Sequence, residues 1–256
     1  MRVEVKITMS IESNKELMRE LKLKGMLAEY EAECDTGQFD QLPFDTRLGY
    51  LLSAEDNQKR DNRTRIRHNK AHFAQPSACI EDIIYDADRK LDQSFILKLA
   101  SCDYIRRNEN ILVLGASDSG KTYLGCALGS AACRRGIRVR YTRLSDMFSR
   151  LAQAEESGKY LKTFREYCSV PLLVLDDFML AIPTIKEVQI LIELCERREF
   201  SGSTIVCSQI APADWQKRID EKIQANAIYS RLVPTAHELL VKGIKPMRER
   251  LRKVAE

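Results

Sequence analysis

Asn110-Ile-Leu-Val-Leu-Gly115-Ala-Ser-Asp-Ser-Gly120-Lys121-Thr122 is a short apolar run that ends in a loop bounded by two glycines. The run Asn110 to Leu114 reads as a buried strand. Lys121 to Arg135 reads as a helix, with Leu124, Ala127, Leu128 and Ala131 on one face. The loop between them matches G-x-x-x-x-G-K-[ST], in the strand–loop–helix setting that this pattern requires. Backbone N–H groups of such a loop and the positive end of the helix surround phosphate groups. The expected cradle runs from Gly115 through Ala116, Ser117, Asp118, Ser119, Gly120, Lys121 and Thr122 to Tyr123. Lys121 is placed to reach the β- and γ-phosphates of a nucleotide, and the Thr122 hydroxyl to ligate Mg2+. Asp118 stands where many such loops have glycine; it adds negative charge, but aspartate tolerates a left-handed backbone better than most residues.

On either side of this loop, apolar runs alternate with helical stretches. Strands are expected at 137–142, 170–175, 203–208 and 238–241, and helices at 144–167 and 185–199. Such alternation argues for a mostly parallel sheet covered on both faces, an α/β fold. The run Val170-Pro-Leu-Leu-Val-Leu ends in Asp176-Asp177, where strand ends meet ligands in this fold class. Asp176 is the expected Mg2+ ligand and Asp177 the expected group that orients or polarises water. Thr204-Ile-Val-Cys ends in Ser208-Gln209, a polar pair suited to sensing a γ-phosphate.

Residues 13–70 read as several short helices interrupted at Gly37 and Pro43, and 71–81 as a connector. Residues 2–9 alternate like a strand. The expected organisation is an N-terminal helical part (1–73), a core (74–241) and a short basic C-terminal segment (242–256).

The chain has 256 residues, 44% apolar and 30% charged, which excludes wholesale disorder and fibrous classes. No apolar run approaches the ~20 residues of a membrane-spanning helix. The first residues lack the apolar core of a secretory signal. The eight cysteines form no CxxC pair and read as small buried hydrophobes in a reducing cytoplasm. The net charge is only +4, but its distribution is uneven. Residues 29–56 are acidic, whereas 59–70 and 242–253 each hold six bases against one acid. Two basic stretches point to an anionic polymer, nucleic acid first. On a helix Arg60, Arg63 and Arg67 share a face, with Lys59 and Lys70 close to it, suited to sequence-independent phosphate contact. Arg138, Arg140 and Arg143 are weaker candidates of the same kind.

The order of the phosphate loop, Asp176-Asp177, Ser208-Gln209 and Ser230-Arg231-Leu-Val-Pro-Thr-Ala-His237 resembles the AAA+ ATPases of the IstB family. These are transposition helper proteins encoded by insertion sequences, similar to the DnaC helicase loaders. Leu21-Lys-Leu-Lys-Gly25-Met26, the Arg47-Leu-Gly-Tyr-Leu-Leu run and Gly136-Ile-Arg-Val-Arg-Tyr141 share in the resemblance, which covers roughly residues 15–252. It implies a five-stranded AAA+ sheet flanked by helices and a reduced C-terminal lid. It also implies ATP-dependent self-association on duplex DNA, and DNA-stimulated hydrolysis that assists a partner transposase. Lys121, Asp177, Ser208 and Arg231 would be catalytic, with Arg231 as a finger to a neighbouring subunit. Arg248, or alternatively Arg250, would be a second sensor of the nucleotide. Met179 stands where many members have glycine. Two other readings stay open: a helicase loader of the DnaC type, and an ATP-gated DNA-binding scaffold with weak or no hydrolysis.

Overall fold

A computed structural model describes residues 10–37, 41–219, 221–243, 246, 247 and 249. The expected strand at 2–9 lies outside them. In chain order the helices are α1 (Ile11–Glu20), α2 (Lys24–Thr36), α3 (Phe44–Ala71), α4 (Gln93–Ala100), α5 (Asp103–Arg106), α6 (Lys121–Arg134), α7 (Leu144–Glu156), α8 (Tyr160–Cys168), α9 (Ile185–Arg198) and α10 (Lys222–Leu232). The strands are β1 (Asn110–Gly115), β2 (Val139–Arg143), β3 (Leu172–Asp176), β4 (Ser203–Ser208) and β5 (Ala236–Val241).

The chain divides into two compact units, Met1–Arg65 and Ile66–Glu256. In the first, Ser10 caps α1 in a reciprocal box with Ser13. The buried carboxylate of Glu55 accepts hydrogen bonds from the Gly25 and Met26 amides at 2.9 and 3.1 Å. Arg47 pairs with buried Glu33. Instead of a further set of short helices, one helix of 28 residues follows Pro43. Residues 66–73, grouped with the N-terminal part in the sequence reading, lie in the second unit. There Ala71 and Phe73 join its core, with Phe73 against Gly129.

The second unit is built on a five-stranded sheet, order β2-β3-β4-β1-β5, with every pairing parallel. Alternation along each strand sends side chains to two cores. Ile111, Val113, Val174 and Ile205 pack on the face with α4 and α6. Leu112, Leu114, Leu173 and Val206 pack on the other face with α7, α8, α9 and α10. Because the connection after β1 covers one face and those after β2, β3 and β4 cover the other, a crevice opens at the C-terminal end of β1. The expected single helix over 144–167 is two, broken where Gly158 turns the chain at φ +67°. Helices α4, α5 and α10 were not visible in the sequence pattern. All eight cysteines are free, and six of them are buried, as the sequence suggested.

Candidate nucleotide-binding site

The loop of residues 116–120 leaves β1 at that crevice and enters α6. A side chain at Gly115 would collide with the Val241 carbonyl oxygen of β5 and come 2.8 Å from Ser119 Oγ, so only glycine fits there. Asp118 adopts φ +57° and Gly120 φ +96°. Asp118 therefore meets the left-handed backbone that glycine usually supplies. The loop is braced from behind. Buried Arg89 donates from Nη2 to Ser119 O (2.9 Å) and from Nη1 to Ile84 O (2.5 Å). The Met247 amide donates to Asp118 O (2.9 Å), so a residue of the C-terminal segment closes on the loop.

Lys121 is 7% exposed, and its Nζ donates to Ala116 O at 2.6 Å, folded back over the loop. Burial pulls its pKa down, against the attraction of Asp176, Asp177 and Asp118. Ser119 Oγ is buried with no hydrogen-bond partner among the described residues. An orphan hydroxyl in a loop whose backbone turns left-handed at Asp118 and Gly120 at the mouth of α6 fits a bound phosphate chain.

Asp176 is buried at the end of β3. Its Oδ2 accepts from Thr122 Oγ1 and from the Tyr141 hydroxyl, both at 2.7 Å, and its Oδ1 accepts from the Asp177 amide at 2.9 Å. One carboxylate and one hydroxyl are hard oxygen donors, the set that Mg2+ takes alongside water and substrate phosphates. Asp177, at φ +52°, stands beside it with Arg143 Nε 3.6 Å from its Oδ2. Desolvation, then repulsion from Asp176, raises the Asp177 pKa, while Arg143 and Lys121 oppose that. Buried Met179 also has positive φ (+57°), which explains why glycine suits this turn.

Several expectations change on this geometry. Ser208 is fully buried; its hydroxyl donates to Phe178 O (2.7 Å) and accepts from the Ile210 amide (3.0 Å). It ties the turn after β3 to the exit of β4 and offers no free hydroxyl to a phosphate; its neighbour Gln209 is exposed there. The Tyr123 hydroxyl is bound to the Cys79 backbone, not aimed at the phosphate loop. Arg138, Arg140 and Arg143, grouped by sequence, go three ways. Arg143 reaches Asp177, Arg140 lies over the Tyr167 ring, and Arg138 lines a cavity at the other edge of the sheet. Tyr141, Arg143 and Arg89 were missed at the nucleotide site. For Tyr141 and Arg143 the signal was their place near the C-terminal end of a strand adjacent to β3.

Arg231 ends α10, and its backbone carbonyl accepts from Asn110 Nδ2 (3.1 Å) at the start of β1. The phosphate loop follows the other end of that strand, about 16 Å away at ~3.3 Å per residue. Arg231 Nη2 meets Glu196 at 3.0 Å, its Nε meets Glu199 at 3.3 Å, and its Nη1 donates to Ala227 O at 2.8 Å. Arg248 and Arg250 lie outside the described residues. On α3, Lys59 pairs with Glu55 (3.2 Å) and Arg60 with Asp56 (2.9 Å), so part of that basic run is compensated within the helix. Arg63 and Lys70 are exposed. Among the described residues no group of three or more His, Cys, Asp or Glu side chains forms a metal cluster. No helix there is long and apolar enough to cross a membrane.

The sequence matches the family described as IstB-like ATP binding protein over residues 16–255. A putative insertion sequence ATP-binding protein of Sinorhizobium fredii is 35% identical over 240 residues, covering 94% of this chain and 96% of that one. The chain belongs to the IstB-like ATP-binding family. A putative ATP-binding protein in an insertion sequence of Mycobacterium tuberculosis is 30% identical over 88% of this IstB-like chain and 90% of its own length. Among solved structures, AMPPCP-bound DnaA from Aquifex aeolicus superposes with TM-score 0.59 at 21% identity, covering 72% of this chain and 55% of that one. The DnaC helicase loader superposes with TM-score 0.55 at 18% identity, covering 64% and 97%. The fold is that of an AAA+ P-loop protein, and the IstB-like chain is an ATP-binding one.

Proposed function

We propose that this IstB-like protein is an ATPase that assembles on duplex DNA with ATP bound, and hydrolyses it at the junction between copies to assist a transposase in choosing or using target DNA. The observation that carries the reading is the separation of Arg231 from the phosphate loop of its own chain. The cradle, Thr122, Asp176 and Asp177 sit at one edge of the sheet, and the one arginine of the Ser230-Arg231 block sits at the other. A head-to-tail repeat brings one edge to the other.

At each junction Lys121 leaves Ala116 O and neutralises the β- and γ-phosphates. Thr122 and Asp176, the latter held by Tyr141, would hold Mg2+, which when bound would supply charge neutralisation on the phosphates. Asp177 orients water for in-line attack on the γ-phosphorus; the bond to the β,γ-bridging oxygen breaks and ADP and phosphate leave. Arg231 of the adjoining copy exchanges Glu196 and Glu199 for the γ-phosphate and stabilises the charge on the transferred group. DNA contact through Lys59, Arg60, Arg63, Arg67 and Lys70 is supported by the basic run on α3, and transposase assistance by the insertion-sequence names of the relatives.

The test is particle size measured with and without a non-hydrolysable ATP analogue and duplex DNA, beside ATPase stimulation by duplex and by single strands. Large assemblies needing both ligands, with duplex the stronger stimulant, are expected. Full turnover by a monomer would refute the shared site, and preference for single strands would favour a helicase-loader activity.

A further inference from the structure

Five arginines of α5, the end of α6 and the start of β2, away from the nucleotide crevice, fall into two groups. Arg107 is held by Glu109 at 2.7 and 2.8 Å, and Arg134 by Glu81 at 3.2 Å. The other three, Arg106, Arg135 and Arg138, line one cavity of about 620 Å³ between α5, the turn after α6, and the starts of β2 and β3. None of these three pairs with a carboxylate among the described residues. Arg135 gives one N–H, from Nε, to Ala100 O at 2.9 Å, leaving its terminal nitrogens uncommitted. Arg67 stands at the rim, its guanidinium 3.8 Å from where a side chain on Gly136 would begin. The nearest acid in sequence, Asp103, accepts from Ser101 Oγ at 3.0 Å.

Three arginines line this cavity and a fourth stands at its rim, none in an ion pair among the described residues; Asp103 sets one negative charge against the four, so their mutual repulsion favours a further anion. The negative end of the α6 dipole offsets only part of that charge. Free guanidinium forks of this kind match phosphate oxygens. The occupant is narrowed by Arg67, which belongs to the α3 basic run already read as a phosphate contact.

We propose that this cavity seats a backbone phosphate of DNA, so that the ATPase unit makes its own contact with the nucleic acid through Arg106, Arg135 and Arg138. This rests on the DNA-binding reading above. The contact reads no sequence and positions the duplex at the sheet edge opposite the nucleotide.

The experiment is fluorescence anisotropy of a labelled duplex titrated with the full chain across a salt series. The proteins are wild type, Arg106→Gln/Arg135→Gln/Arg138→Gln, and Arg134→Gln as the paired control. For one phosphate the triple variant should lose about 0.9 from the slope of log affinity against log salt. It should also bind roughly tenfold more weakly at fixed salt, while the control matches wild type. Unchanged thermal unfolding and ATP-analogue binding show that the variant folds; if it does not, Arg106→Gln and Arg138→Gln are compared singly. Wild-type slope and affinity in the folded variants overturn the proposal and leave DNA binding elsewhere intact. Calorimetry with inorganic phosphate is the second arm: uptake lost in the variant while duplex affinity stays unchanged overturns it in favour of free phosphate. A wild type that binds no duplex defeats the DNA-binding reading, and the cavity proposal with it.

Discussion

Replacing Arg231 by alanine separates a shared catalytic site from a self-sufficient one. The side chain is 24% exposed and held by Glu196, Glu199 and the Ala227 carbonyl. Its backbone is fixed to Asn110, a strand's length from the phosphate loop, so truncation leaves the nucleotide contacts of its own subunit untouched. ATP-analogue affinity should therefore stay at the wild-type value. An arginine supplied in trans contributes about 10³–10⁵ in kcat, or ~4–7 kcal/mol at ~1.4 kcal/mol per decade, and that factor should be lost. The second half of the test mixes two inactive proteins. Arg231→Ala retains an intact nucleotide site, and Asp177→Asn retains an intact arginine. In a 1:1 head-to-tail assembly about a quarter of junctions join a good site to a good arginine, so activity should reappear at about that fraction of wild type. The assay is steady-state phosphate release with duplex DNA at saturating ATP, beside calorimetry for binding. Wild-type turnover in Arg231→Ala removes the residue from the mechanism. Loss of turnover with no recovery on mixing refutes the trans arrangement.

Four other outcomes follow from particular contacts. Gly115→Ala drives a methyl against the Val241 carbonyl and Ser119 Oγ; denaturant unfolding should show ~1–3 kcal/mol of destabilisation, and calorimetry weaker ATP-analogue binding. Tyr141→Phe removes one of two hydroxyl donors to Asp176 Oδ2, a bond to a charged group worth ~1.5–3 kcal/mol, so the Mg2+ needed for half-maximal turnover should rise about tenfold or more. Arg198→Met deprives the carbonyls of Tyr167, Cys168, Val170 and Ser203 of a buried donor, and should cost ~1–3 kcal/mol for each acceptor left unsatisfied, read by thermal or denaturant unfolding, with no direct effect on the nucleotide site. The fourth concerns Glu109. Arg107 pulls its carboxyl down to about 2, against burial and with help from His237. A carboxyl depressed in the folded state stabilises fully above its unfolded value near ~4.3 and loses that contribution as pH falls toward 2. Melting temperature should therefore fall less between pH 5 and pH 2.5 in Glu109→Gln than in wild type.

The parts legible in the sequence are those whose geometry is set by neighbours along the chain. Eight consecutive residues, Gly115 to Thr122, spell a loop between strand and helix because its pattern is local to the chain, and the apolar run before them specifies the strand that presents it. Asp176 and Asp177 were legible for the same reason, as the polar end of an apolar strand. The left-handed backbone at Asp118 was anticipated from the residue type; that of Met179 became clear only when its φ was seen. Helices α4, α5 and α10 escaped because short amphipathic segments carry too few apolar repeats to separate from loop.

Tertiary structure alone decided what meets across the sheet. Tyr141 joins Asp176 because β2 lies beside β3 in a particular register, which no local pattern encodes. Ser208 looked free at a strand end until Phe178, thirty residues earlier in the chain, took its hydroxyl. Arg231 was placed at the far edge by an asparagine 121 residues before it. Arg138, Arg140 and Arg143 are neighbours in sequence, but strand alternation and the ends of different elements send them to a cavity, an aromatic ring and a carboxylate. Side-chain period and loop chemistry are short-range and survive in the sequence; partner choice depends on parallel pairings whose crossovers span dozens of residues, and only the folded sheet fixes those.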